Sequence, residues 1–298
     1  MSSVLYDAPG PRAKRRILVG SLIAAAGAVV VLVLVTIKLD QQGQFESEKW
    51  APLTDPSDPR FPLVWDLLGE GLQNTLIAAA WAMLFSLVIG TLLAVTRVTA
   101  AAWYRWAVVG VIEFLRGIPV VIAIFFAARA LPELGVDLEP LWFLVIGLTA
   151  YNSVIIAEIV RAGINSLPKG QREAAESLGL TRGQTLQLVL LPQAFRIMLP
   201  ALISQLVVVL KDTSLGFIIS YPELVRTAGF IVQNLKNPIQ TYLIVAVIFI
   251  IVNYALSRLA IFVERRLSRS KKSVAGGPAE TIALAESSMA AGGVAGGA

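Results

Sequence analysis

Apolar residues run through this chain in long blocks separated by polar intervals. Blocks of roughly 20 residues, the length a helix needs to cross the hydrocarbon core, fall at about 17–37, 68–95, 141–160, 195–219 and 239–262. A sixth, about 106–134, is interrupted by Glu113, Arg116, Gly117 and Pro119. The pattern predicts an all-α integral membrane protein of about six transmembrane helices. The first block, "ILVGSLIAAAGAVVVLVLVTI", is longer than the apolar core of a signal peptide, and "KLDQQG" after it offers no small-x-small cleavage site. It is expected to be a retained N-terminal anchor.

The polar intervals divide the rest. Residues 1–16 form a basic N-terminus and 17–37 the anchor. Residues 38–67 carry Pro52, Pro56, Pro59 and Pro62, which predict an irregular external linker. Residues 68–265 are the core unit, without an internal repeat. The Ser/Ala/Gly-rich residues 266–298 are expected to be a disordered cytoplasmic tail.

Composition sharpens this. Of 298 residues 56% are hydrophobic and 15% charged, normal for a multi-span membrane protein. No Cys means no disulfide or thiolate metal site, and no His removes the commonest zinc ligand and proton relay. The net charge of +5 reads as topology. Sixteen Lys and Arg flank one side of the spans, among them Arg12, Arg97, Arg105, Arg172, Arg182 and Arg265. Seven lie on the other: Lys38, Lys49, Arg60, Arg129, Lys211, Arg226 and Lys236. The richer side is the cytoplasmic one, so both termini and the loop between the fourth and fifth spans are expected inside.

That loop, with "EAAESLGLTRGQTLQLVLLPQAF" at Glu173–Phe195, is the polar stretch that a simple connector does not explain. Pro168 and Gly170 break the helix leaving the fourth span. A first helix is predicted over about Gln171–Leu178, ended by Gly179 in left-handed conformation. Thr181 with Gln184 has the capping-box spacing for a second helix, which Pro192 is expected to end. Leu186, Val189 and Leu190 form its apolar stripe, and Ala174 and Ala175 leave a surface for close approach. Two capped helices with a small-residue face suit docking into another protein.

The spacing of Glu173, Ala174, Ala175, Gly179, Val189, Leu191 and Pro192 resembles the EAA loop of bacterial ATP-binding-cassette importer permeases, with Val189 where that family usually has Ile. "EFLRGIPV", "AEIVRAGINSLPKGQ", "LLPQAFRIMLPAL" and "LKDTSL" are similar to the polar amino acid branch of that family. The extra anchor and long tail look most like the actinobacterial glutamate permeases. The resemblance implies a type I importer transmembrane domain of five core helices plus the anchor. Its EAA loop (165–192) would couple a separate ATPase to the spans. It also implies a second permease subunit, the same or different, an extracytoplasmic solute-binding protein, and location in the bacterial cytoplasmic membrane. This chain would be no enzyme and bind no cofactor, ATP and Mg being held by the ATPase. No G-x-x-x-x-G-K-[ST] phosphate loop occurs here.

Polar residues inside the spans are the candidates for function. Glu113 and Arg116, spaced i,i+3, and Glu158 and Arg161, likewise, are expected to form structural ion pairs. Residues 104–117 either span with a buried pair or lie at the cytoplasmic interface with spanning from near Ile118; the second avoids mid-membrane charge. At ~1.5 Å per residue, Asn152 lies roughly 17 Å along the fourth span and Gln205 near the midplane of the fifth. Both are candidates for the substrate path, with Lys211, Asp212 and Thr213 at an outer gate; helix packing by small polar groups is the competing role. Other classes remain open: an ion-gradient-driven secondary transporter, which commonly shows inverted repeats, or a non-conducting structural membrane subunit.

Overall fold

A computed structural model describes residues 10–99 and 102–269. All regular elements among them are helical, in the order α1 (Pro11–Gln41), α2 (Ser47–Thr54), α3 (Phe61–Thr99), α4 (Ala102–Gly117), α5 (Val120–Glu133), α6 (Pro140–Asn165), α7 (Lys169–Ser177), α8 (Arg182–Gln184), α9 (Leu191–Asp212), α10 (Leu224–Leu235) and α11 (Pro238–Arg269). Helices α1, α3, α6 and α11 and the continuous stretch Arg182–Ile219 are long and apolar enough to cross a membrane. Two compact units divide the chain: the described residues up to Trp65 with Ile231–Ile244, and Asp66–Phe230 with the described residues from Val245 on.

In the first unit α1 has no buried residue; its Ile, Leu and Val side chains point outward all round, as suits a single helix in lipid. The linker is more ordered than its prolines predict. Residues 47–54 are helical, and Pro52 and Leu53 are buried. Pro52 forfeits one backbone bond late in a two-turn helix, which long-range bonds offset: Trp65 Nε1 donates to the Leu53 carbonyl and Asn237 Nδ2 to that of Lys49. The expectation of an irregular 38–67 therefore fails at both ends and in the middle, since α1 runs to Gln41 and α3 starts at Phe61.

In the second unit α6 is the central helix. Small residues on α3 recur every four positions, Ala78, Ala82, Ser86, Gly90 and Ala94, all buried. Such a stripe lets backbones approach closely without Leu-sized side chains between them. At Gly90 a Cβ would sit 2.6 Å from the Ser153 carbonyl oxygen, and at Gly147 on α6 it would sit 2.5 Å from the Ile124 Cα of α5. One apolar cluster joins Ala94, Ile156, Val160, Ile164, Leu186, Leu190, Ala194 and Met198. A second joins Ala78, Ala82, Ile124, Leu144, Leu148, Val209 and Tyr221.

The sixth apolar block is a broken one. Helices α4 and α5 meet at 98° across Ile118–Pro119. Pro119 cannot continue α4 because it lacks an N–H and restricts the residue before it. The bend makes α4 a separate arm, the geometry that spanning from near Ile118 requires. At the other end α11 continues as helix to Arg269, so the first four residues of the presumed tail, 266–269, are helical. The remainder, 270–298, lies outside the described residues.

Candidate functional site

The loop between α6 and α9 is built from local sequence. Helix α7 ends at Ser177 with Leu178 as its C-cap, and Gly179 follows at φ +83°. Its N–H bonds to the Glu176 carbonyl and that of Leu180 to the Ala175 carbonyl, a Schellman cap satisfying two orphan carbonyls. Nothing lies within 4 Å of a Cβ built on Gly179, so backbone conformation alone demands glycine here. Thr181 then caps α8: its Oγ1 accepts from the Gln184 N–H at 3.4 Å, and Gln184 Oε1 accepts from the Thr181 N–H at 2.9 Å.

Beyond α8 the chain does not stop. Thr185–Leu190 is π-helical and leads directly into α9, with Leu191 N–H bonded to Leu186 O. The expectation that Pro192 ends this helix is corrected. Pro192 occupies the first turn of α9, and the i→i+5 register before it accommodates a residue that has no N–H to give. The second loop helix and the next span are thus one continuous stretch, Arg182–Ile219. Gln193 Nε2 also donates to Gln171 Oε1 at 3.1 Å, tying the start of α9 to α7.

The loop has an inner and an outer face. Leu186 and Leu190 are buried, Val189 and Leu191 pack against the same cluster, and Pro192 is exposed. Ala175 is 4% exposed. It packs inside its own subunit, its carbonyl accepting from the Leu180 N–H in the cap, and so is not part of an outward docking surface as expected. Glu173, Ala174 and Gly179 are exposed, and Leu178 is 84% exposed at the tip. Leu178 was missed from sequence; an apolar residue directly before the capping glycine of a polar helix was the available signal.

Glu158 accepts from Arg161 at 2.7 Å and also from Arg97 of α3. The second partner joins two spanning helices and lies 61 residues away in sequence, beyond any local spacing rule. Glu113 and Arg116 make no ion pair among the described residues. Both are exposed, where an i,i+3 pair gains too little to fix two flexible side chains. The expected pairing there is corrected.

Among the path candidates, Asn152 is fully buried and Gln205 is 8% exposed. Gln205 Nε2 donates to Asn152 Oδ1 at 2.7 Å and Asn152 Nδ2 to the Leu148 carbonyl at 2.9 Å. The first bond holds α9 on α6 and the second lies within α6. Thr213 is also fully buried, its hydroxyl donating to the Leu210 carbonyl. Lys211 differs: it is exposed and borders a cavity of about 570 Å³ with Ser214, Val225, Phe249, Ile250 and Asn253. Asp212 is half-buried and is not among that cavity's lining residues.

Between α9 and α10 the carboxylate of Glu223 accepts from the N–H groups of Val225 and Arg226, both at 2.7 Å, capping α10. Burial pushes its pKa up to about 7, against the pull of those two bonds. Nearby, Tyr221 donates to the Asn74 carbonyl and Thr75 Oγ1 accepts from Leu224 N–H, fastening this turn to α3. Glu223 too was not singled out from sequence, where nothing marks an isolated acid as buried.

The described residues thus hold five helices long and apolar enough to span, a sixth apolar stretch bent between α4 and α5, and a capped loop feeding into the next span. Residues 86–269 match the family described as binding-protein-dependent transport system inner membrane component, and the chain belongs to it. It is 40% identical over 242 residues to the glutamate transport system permease protein GluD of Corynebacterium glutamicum, covering 79% of this chain and 86% of that one. It is 35% identical over 206 residues to the probable glutamine ABC transporter permease protein GlnP of Bacillus subtilis, covering 67% of this chain and 92% of that one. Among solved structures, an amino acid ABC transporter crystallised with histidines superposes at TM-score 0.62 and 29% identity, over 67% of this chain and 94% of that one. A chain of the MetNI methionine transporter shares the fold at TM-score 0.60 and 24% identity, over 69% of this chain and 98% of that one. The protein is an integral membrane permease subunit of an amino-acid ABC importer; such subunits are not enzymes, and the ATPase is a separate subunit.

Proposed function

We propose that this subunit imports glutamate, that its EAA loop couples ATP hydrolysis on a separate chain to the spans, and that both termini and this loop face the cytoplasm. One observation carries the coupling reading. Leu178 stands almost fully exposed on a tip whose geometry is fixed by the Gly179 cap and the Thr181–Gln184 capping box. Burying a leucine in a partner yields ~1.5–3 kcal/mol, and a tip held at both ends loses little further entropy on docking. Glu173, Ala174, Leu178 and Gly179 form the docking face; Ala175, Val189, Leu191 and Pro192 support it from behind.

The continuity of Arg182–Ile219 gives the loop a mechanical route. Force on α8 passes through the π-helical turn into α9 without a break in the helix, and α9 is clamped to α6 by Gln205–Asn152. In this reading Asn152, Gln205 and Thr213 are packing residues of the moving bundle. Lys211, exposed and lining the cavity, is the gate candidate that remains, and Asp212 adjoins it. A second permease subunit, identical or not, closes the path, and an extracytoplasmic binding protein delivers the amino acid. ATP and Mg are held by the ATPase.

The glutamate assignment is supported by the 40% identity to a glutamate permease. It is tested by reconstituting the subunit with its ATPase and binding protein in vesicles. Glutamate should stimulate ATP hydrolysis and accumulate, with glutamine and cystine failing to compete. Stimulation by glutamine alone would reassign the substrate; hydrolysis indifferent to every amino acid would remove the coupling role.

A further inference from the structure

A second cavity, of about 810 Å³, lies between the last turn of α3, helices α7 and α8, and the π-helical turn. Its wall is two-sided. Val95, Val98, Leu186 and Leu190 supply an apolar half, and Arg172, Arg182 and Glu176 supply charge. None of these three charged side chains has an ion-pair or hydrogen-bond partner among the described residues. Thr185 also lines the cavity; it is 1% exposed, and its hydroxyl has no partner. Thr185 thus lines the same cavity as two unpaired guanidiniums, with a buried hydroxyl that is free to donate to an acceptor there.

We infer that this cavity binds the phosphodiester headgroup of an anionic phospholipid, with the phosphate between Arg172, Arg182 and the Thr185 hydroxyl and the first acyl carbons against Val95 and Val98. Two guanidiniums and one carboxylate leave a single positive charge, which a singly charged phosphodiester balances. Guanidinium and hydroxyl donors match phosphate oxygens in number and kind. Location favours a lipid over a soluble phosphate. In the orientation proposed above, on which this inference rests, Val95–Thr99 is the cytoplasmic end of a spanning helix, where hydrocarbon gives way to headgroups, and basic pockets between spans at that level bind lipid phosphates. The π-helical turn that lines the cavity is a geometry frequent at functional sites.

The test uses the intact transporter complex in detergent, with native mass spectrometry reading the affinity for phosphatidylglycerol, phosphatidylcholine and inorganic phosphate. At roughly 1 kcal/mol per interfacial arginine, Arg172→Gln and Arg182→Gln should each weaken phosphatidylglycerol about fivefold. Thr185→Val, isosteric and apolar, should weaken it without lowering the melting temperature. Glu176→Gln should tighten binding, a gain that a merely structural role would not produce. Arg16→Gln, outside the cavity, should change nothing, and phosphatidylcholine should be insensitive to every variant. Equal phosphatidylglycerol affinity in wild type and the arginine variants would overturn the site. Inorganic phosphate binding as tightly as the lipid, and lost in the same variants, would overturn its assignment to the membrane.

Discussion

The side-chain amide of Gln205 donates a 2.7 Å hydrogen bond to the Asn152 side-chain oxygen, joining α9 to α6 in the buried centre of the subunit. Buried polar groups in membrane helices are costly unless partnered, and here each partner satisfies the other. Asn152→Leu therefore strands the Gln205 amide and should destabilise the subunit by about 1–2 kcal/mol. The Asn152→Leu/Gln205→Leu pair should recover part of that. A double-mutant cycle on the melting temperature of the purified complex measures the coupling. Melting unchanged by Asn152→Leu while uptake collapses would return both residues to the substrate path.

Glu158 holds Arg97 on one side and Arg161 on the other, so it links α3 to α6. Replacing it by Gln leaves two guanidiniums without their counter-charge. The group is partly exposed, so the loss should be about 1 kcal/mol. Glu158→Gln should lower the melting temperature more than Arg161→Gln, which spares the α3 contact. Equal effects of the two would mean that the Arg97 contact contributes nothing.

The capping carboxylate of Glu223 has a pKa raised to about 7, and an unfolded Glu titrates near its ordinary 4.5. A raised folded-state value means that the folded protein holds the proton more tightly. The stability from this group is fully present below pH ~4.5 and is lost as pH rises through 7. The melting temperature should fall across that window, and Glu223→Gln, which keeps one acceptor for the α10 N–H groups, should flatten the fall. A slope identical in wild type and variant would show that other groups carry it.

Much of this architecture was legible because span length and helix punctuation are local properties. The five clean apolar blocks lie within helices, Gly179 takes the left-handed cap, and Thr181–Gln184 forms its capping box, each read from a few adjacent residues. What escaped depends on distant partners. The Arg97–Glu158 pair spans 61 positions, the burial of Asn152 follows from α9 lying over α6, and the helix at Ser47–Thr54 rests on bonds from Trp65 and Asn237. Pro192 misled for another reason. A proline reads as a stop, but a π-helical turn before it lets the helix run on.

Glycines in contact and glycine in a cap should fail differently. At Gly90 and Gly147 an added Cβ meets backbone atoms at 2.6 and 2.5 Å, so Gly90→Val and Gly147→Val should lose the subunit from the membrane. At Gly179 there is open space, and only the φ of +83° is strained by a side chain. Quantitative blotting of membranes should show Gly179→Val near wild-type abundance and the other two greatly reduced. Equal loss of all three would mean that the cap is needed for folding.

Coupling through the capped tip is tested most directly by labelled amino-acid uptake normalised to membrane abundance in Gly179→Val and Gly179→Asn. A β-branched residue resists the left-handed region, at a cost of about 1–2 kcal/mol, and asparagine tolerates it. Gly179→Val should displace Leu178 and reduce uptake per subunit at least tenfold, with weakened ATPase co-purification. Gly179→Asn should retain most of both. Wild-type uptake per subunit in Gly179→Val would contradict the account and leave the loop as a connector between spans.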